Sequence, residues 1–150
     1  MNRIEQTAYG VVTVIKEEGE YKFLILFQNK EFNNWSYPKG KREEGETEPL
    51  AIAMRELEEE SGITDIELLD VPLIDERYEF DLKGTKIDRV CKYFVGIVKN
   101  KSVKIQEGEI LDYKWATFDE AKNTFGFQKE CRIKTLEQAK TYLDEYDSRK

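Results

Sequence analysis

From Gly40 to Ile63 the chain reads GKREEGETEPLAIAMRELEEESGI, and Arg55-Glu56-Leu57-Glu58-Glu59-Glu60-Ser61 has the composition of one short helix. Successive residues step about 100° around such a helix, so with Glu56 at zero, Glu59 falls at about 300° and Glu60 at about 40°. Three carboxylates therefore share one narrow arc, and Glu58 points away from it. Leu50, Met54, Leu57 and Ser61 line up on a separate face that can seat the helix on a core. Pro49 suits the first helical position, with Thr47 or Glu48 as the cap, and Gly62 suits a left-handed C-cap. Like charges at these spacings repel and mildly destabilise an isolated helix. A divalent cation that prefers oxygen ligands, such as Mg²⁺ or Mn²⁺, reverses that cost. The alternative for a Glu-rich helix is a solvated acidic face.

The rest of the chain narrows the chemistry. Its 150 residues suit one domain, 1–150, able to bury a sizeable core. A net charge of −7 argues against a stable nucleic-acid-binding surface. A phosphorylated small molecule stays possible, because bound cations invert the local field. No apolar run reaches the length of a membrane span and the first ten residues lack a signal peptide's apolar core, so a cytoplasmic protein is expected. Cys91 and Cys131 form no CxxC and read as free thiols in a reducing compartment. There is no histidine at all, so carboxylates must do the acid–base and metal work.

Strand-like runs occur at Thr7–Ile15 and Tyr21–Phe27, joined through Gly19, and at Ile66–Val71, Asp75–Leu82, Arg89–Val98 and Tyr113–Ala116. Lys83-Gly84 reads as a turn. Thr117 opens a capped helix, and Cys131–Tyr146 reads as a C-terminal helix. Mixed strands with few helices predict an α/β sandwich, two helical layers around a mixed sheet.

The glutamate helix and its approach resemble the Nudix box, G-x5-E-x7-R-E-U-x-E-E-x-G-U with U a bulky aliphatic. Gly40, Glu46, Arg55, Glu56, Leu57, Glu59, Glu60, Gly62 and Ile63 supply its fixed residue types. Eight residues, not seven, separate Glu46 from Arg55. Pro49 places the extra residue in the loop before the helix, which leaves the carboxylate geometry intact. The insertion bears on Glu46, whose implied role is to brace that loop. The resemblance implies a Nudix-type α/β/α sandwich with a mixed central β-sheet.

Flanking segments resemble the asymmetric diadenosine tetraphosphate hydrolases within that family. Trp35-Ser36-Tyr37-Pro38-Lys39-Gly40 is similar to their W-x-x-P-K-G entrance, which implies that Lys39 and Lys41 lie beside a polyphosphate. Glu109-Ile110-Leu111-Asp112-Tyr113-Lys114-Trp115 is similar to their E-H-x-x-Y-R-W, with Ile110 in place of the histidine, and Asp119-Glu120-Ala121 matches the E-E-A that follows. Tyr93-Phe94 matches an aromatic pair whose tyrosine stacks on adenine, although alternation in a strand turns one of the two inward. Phe127 resembles a second adenine platform.

The implied reaction is metal-dependent hydrolysis of a phosphoanhydride in a nucleoside diphosphate linked to another group, with a dinucleoside polyphosphate as the expected partner. Glu56 and Glu60 are the preferred metal ligands, joined by the Gly40 carbonyl. Glu59 is a ligand to a second metal or the base for the attacking water, and Glu109 is a further ligand or base. Arg55 orients the glutamates. The alternatives are a Nudix pyrophosphohydrolase acting on nucleoside triphosphates, RNA 5′ ends or diphosphoinositol phosphates, and a non-enzymatic ligand-sensing module.

Overall fold

The computed structural model describes residues 2–28 and 32–150. β1 (Arg3–Glu17) and β2 (Glu20–Phe27) form a hairpin whose turn, Glu18-Gly19, has positive φ at both positions. That backbone twist matches the twist of the two strands. β3 (Trp35–Ser36) and β4 (Lys39–Lys41) carry the chain to helix α1 (Pro49–Ser61). β5 (Glu67–Leu68), β6 (Ile74–Leu82), β7 (Thr85–Val98) and β8 (Asp112–Ala116) follow, and α2 (Phe118–Thr124) and α3 (Lys129–Ser148) close the chain. β1 runs parallel to β7 from Arg3 opposite Lys86 to Ile15 opposite Val98, and the remaining pairings are antiparallel. The sheet is therefore mixed, as expected.

Period-2 alternation divides the buried residues between its two faces. Val11, Ile15, Leu24 and Leu26 pack with Ala53 and Leu57 of α1. Val12, Val14, Phe23, Ile25, Tyr93 and Val95 pack with Ala121 of α2 and Leu136, Ala139 and Leu143 of α3. The result is the α/β/α sandwich. Ile110 is buried on the α1 face, so the residue standing where the resemblance has a histidine is a packing residue.

Several boundaries differ from those read in the sequence. β1 begins at Arg3 and β7 at Thr85, both earlier than their β-branched runs. Cross-strand bonds explain the extension: Arg3 pairs with Glu79 and Asp88, and Gln6 accepts two bonds from Arg89. The strand expected at Ile66–Val71 shrinks to two residues. Leu50 is exposed in the first turn of α1, and Ala53 takes its place on the seating face. Neither Thr47 nor Glu48 caps that helix through its side chain; Glu48 is the N-cap by backbone alone. Gly62 is the left-handed C-cap, its N–H bonded to the Glu58 carbonyl at 2.8 Å. Thr117 and Glu120 form a reciprocal capping box on α2. Cys91 and Cys131 are free thiols. Among the described residues no helix is long and apolar enough to cross a membrane.

Among the described residues, one ion pair lies wholly inside the molecule. Arg132 of α3 meets Glu76 of β6 at 2.6 Å with both side chains at zero exposure, and Thr135 donates to the second Glu76 oxygen. Removing one partner of such a pair strands a buried charge, whereas removing both leaves only a packing defect. Arg132→Met is expected to cost about 3–5 kcal/mol in urea denaturation. Glu76→Leu combined with Arg132→Met should recover most of that loss. Equal losses in the single and double variants would contradict this account of the pair.

Candidate functional site

Two glycines allow the elements of the site to touch. A Cβ at Gly10 of β1 would lie 2.1 Å from the Pro38 carbonyl oxygen, and one at Gly40 of β4 would lie 1.8 Å from Glu56 Oε2. The absent side chains let β1, the entrance strand and α1 close to backbone-to-carboxylate contact. Gly40 stands opposite Tyr9, and Lys39 opposite Gly10.

Glu60 is almost fully buried, and the backbone N–H of Lys39 donates to its Oε1 at 2.9 Å. Loss of water pushes its carboxyl up to about 8, a rise that the Lys39 ammonium and N–H partly offset. Glu56 is raised as well, chiefly by burial, with the Arg55 charge opposing. Arg55 is the hub of the cluster. Its Nε and Nη2 donate to Glu46 at 2.7 and 2.9 Å, and its Nη1 donates to both Glu59 oxygens at 3.0 and 3.1 Å. Nη2 also reaches the Lys41 carbonyl at 2.9 Å, and Nη1 lies 3.5 Å from Glu56. Glu46 in turn accepts the Glu43 N–H, so Arg55 and that N–H hold its carboxyl below the usual range. The inserted residue therefore leaves Glu46 in contact with both the helix and the loop. Glu58 is exposed, on the side away from this cluster.

The other expected site residues are distributed unevenly. Lys39 is buried beside Glu56 and Glu60, and Lys41 is exposed next to it. Glu109 is exposed in a turn, its N–H bonded to the Gln106 carbonyl at 3.2 Å. Tyr93 is a correction: its ring is fully buried, edge-to-face against Tyr37, and presents no surface to a base. Phe94 faces the opposite side, against the α1 core. Phe127 is partly exposed and packs with Phe32, Phe80 and Tyr78 at ring distances of 4.9, 5.6 and 6.0 Å. That aromatic group was missed from sequence. Its signal was the Tyr78–Phe80 alternation on β6, which sets both rings on one face.

The Gly40 carbonyl and the Glu56, Glu59 and Glu60 carboxylates are the oxygens here that suit a hard divalent cation. Among the described residues no three acidic or thiol groups are already closed around such a position. Glu59 is bonded to Arg55, and Glu60 to the Lys39 N–H.

A NUDIX domain model matches residues 5–136. The chain belongs to the Nudix family. Its relatives include the asymmetrical bis(5′-nucleosyl)-tetraphosphatase of Sus scrofa, 28% identical over 125 residues, which are 83% of this chain and 77% of the relative. The enzyme of the same name from Caenorhabditis elegans is 30% identical over 114 residues, 76% of this chain and 80% of the relative. Among solved structures, a binary complex of C. elegans Ap4A hydrolase superposes with a TM-score of 0.68 at 23% identity, covering 95% of this chain and 96% of that one. The NUDIX domain of Shewanella oneidensis NrtR, complexed with ADP ribose, gives 0.71 at 18% identity, covering 93% and 89%. These structural likenesses establish the Nudix fold.

The two glycines of the Nudix site should respond differently to substitution. At Gly40 the obstacle is the end of a flexible glutamate, so Gly40→Ala is expected to cost about 1 kcal/mol or less in stability while displacing Glu56 and abolishing most turnover. At Gly10 the obstacle is backbone, so Gly10→Ala should destabilise by about 1–3 kcal/mol. Urea denaturation and a turnover assay on both variants check this; unchanged turnover in Gly40→Ala would contradict it.

Proposed function

We propose that this Nudix protein hydrolyses a phosphoanhydride of a nucleoside diphosphate linked to a second group, with dinucleoside tetraphosphate as substrate and ATP and AMP as products. The observation that carries the reading is the packing of Glu56 against Gly40 with Glu60 bonded to the Lys39 N–H beside it, two buried carboxyl groups whose charged forms a cation would favour. The 28% and 30% identity to asymmetrical tetraphosphatases supports the substrate.

In this reading the Gly40 carbonyl, Glu56 and Glu60, with Glu59 beside them, hold Mg²⁺ or Mn²⁺. When bound, the cation offsets charge on the phosphate oxygens and favours the ionised carboxylates. Arg55 keeps Glu59 and Glu46 in place through its five bonds, so α1 and the preceding loop move as one unit. Lys39 and Lys41 set two ammonium groups on the strand along which the polyphosphate lies. Glu59, exposed at the end of the cluster, would receive the proton of the attacking water. Phe127 offers its open surface to one base. The absence of histidine leaves this proton to a carboxylate.

The test is product analysis on diadenosine tetraphosphate with Mg²⁺, beside nucleoside triphosphates and capped RNA. ATP plus AMP is expected. Glu60→Gln should lower kcat by about 100-fold or more, whereas Glu58→Gln should stay close to wild type and Glu109→Gln should fall between them. Release of two ADP, or preference for another member of the panel, would overturn the substrate assignment. Equal losses in Glu58→Gln and Glu60→Gln would overturn the site.

A further inference from the structure

Arg132 is fully buried, yet one of its hydrogen bonds leads outward to the partly exposed Asn34. Nη1 serves Glu76, whose Oε1 also lies 3.4 Å from the Tyr93 hydroxyl and whose Oε2 accepts from Thr135. With both its oxygens engaged, the Glu76 carboxylate is held in place, and it anchors the Nη1 end of the guanidinium. Nη2 then donates at 3.0 Å to Oδ1 of Asn34, and the Arg132 carbonyl accepts from the Tyr37 hydroxyl at 2.7 Å. Asn34 and Tyr37 belong to the segment that runs through Pro38 into Lys39 and Gly40. The same segment carries the aromatic group. The Asn33 carbonyl accepts the Phe127 N–H at 3.2 Å, and a Cβ on Gly126 would lie 2.2 Å from the Asn33 amide nitrogen. Asn33 itself has a positive φ of 50°.

A core ion pair that served stability alone would need no bond to a partly exposed loop amide. We propose that Arg132, oriented by Glu76, is a positioning residue. Through Asn34 it fixes the turn that is bonded to Phe127 at Asn33 and leads into the Gly40 strand, and so the spacing between the base end and the polyphosphate end of the site. The proposal rests on the reading of Phe127 as a base platform and of the Gly40 strand as the polyphosphate end. A nucleotide that must reach both ends loses affinity when the turn relaxes. A phosphate chain with no base does not.

Asn34 gives a test that leaves the buried ion pair in place. Asn34→Leu has similar volume and no acceptor, and Asn34→Asp retains one. KM and kcat for diadenosine tetraphosphate are measured together with inhibition by inorganic tripolyphosphate and with melting temperature. Asn34→Leu should raise KM about ten-fold with kcat nearly unchanged, Asn34→Asp should restore a KM close to wild type, and tripolyphosphate inhibition should be the same in all three proteins. An unchanged KM in Asn34→Leu, or an equal weakening of tripolyphosphate, would overturn the positioning role. A folded wild type with no turnover of the dinucleotide would overturn the substrate reading and this proposal together, a result distinct from an active wild type insensitive to Asn34.

Discussion

Glu56 and Glu60 carry their carboxyl groups into a place from which packing has removed most of the water, Glu56 against a backbone kept bare by Gly40 and Glu60 against the Lys39 N–H. Everything on this side of the sheet follows from that contact. A helix bearing acids on one arc would ordinarily turn them to solvent; here α1 is seated by Ala53 and Leu57, and the seat presses the acids inward. The Arg55 charge offsets part of the resulting cost at Glu56 and Lys39 part of it at Glu60, while the Arg55 bonds to Glu46, Glu59 and the Lys41 carbonyl tie the loop, the helix and β4 into one body. What remains is a pair of carboxyl groups whose burial disfavours the charged form, in a chain whose net charge is −7. In the proposed function, a cation bound there would favour the charged form and draw in a polyphosphate.

The opposite face of the sheet solves a different problem. Its core contains Glu76, Arg132, Thr135, Tyr37 and Tyr93 among apolar neighbours, and their hydrogen bonds tie α3 to β6 and to the entrance segment. Burial of such a pair is weak evidence for stability but does fix geometry when its remaining bonds are directional. The two faces meet in the chain between Asn33 and Gly40. One end of that segment is held by the Arg132 network and the Phe127 backbone; the other is pressed on the glutamate helix.

The legible parts of the molecule were those written locally. Helical spacing placed Glu56, Glu59 and Glu60 together and Glu58 apart, and positive-φ turns at Gly19 and Gly84 fell where glycine ended a polar pair. The unread parts depend on partners distant in sequence. Tyr93 and Phe94 are adjacent aromatics in one strand, and what covers each is decided by Tyr37 on one face and the α1 core on the other. Glu76 and Arg132 are 56 residues apart, and no spacing rule links them. Leu50 fitted the apolar stripe but lies in the first turn, beyond the seating contacts. Glu46 kept its place despite the extra residue because Arg55 reaches it with two nitrogens, a contact set by side-chain length and not by the count of loop residues.

The central claim is that the desolvated glutamates of α1 form a cation site with the Gly40 backbone. Titration of the protein with Mn²⁺, followed by the electron paramagnetic resonance signal of the free ion, tests it without reference to any substrate. The account predicts saturable binding in the wild type that is lost when Glu56 and Glu60 are both replaced by glutamine and kept when Glu58 is. Equal Mn²⁺ uptake by the double variant and the wild type would contradict it.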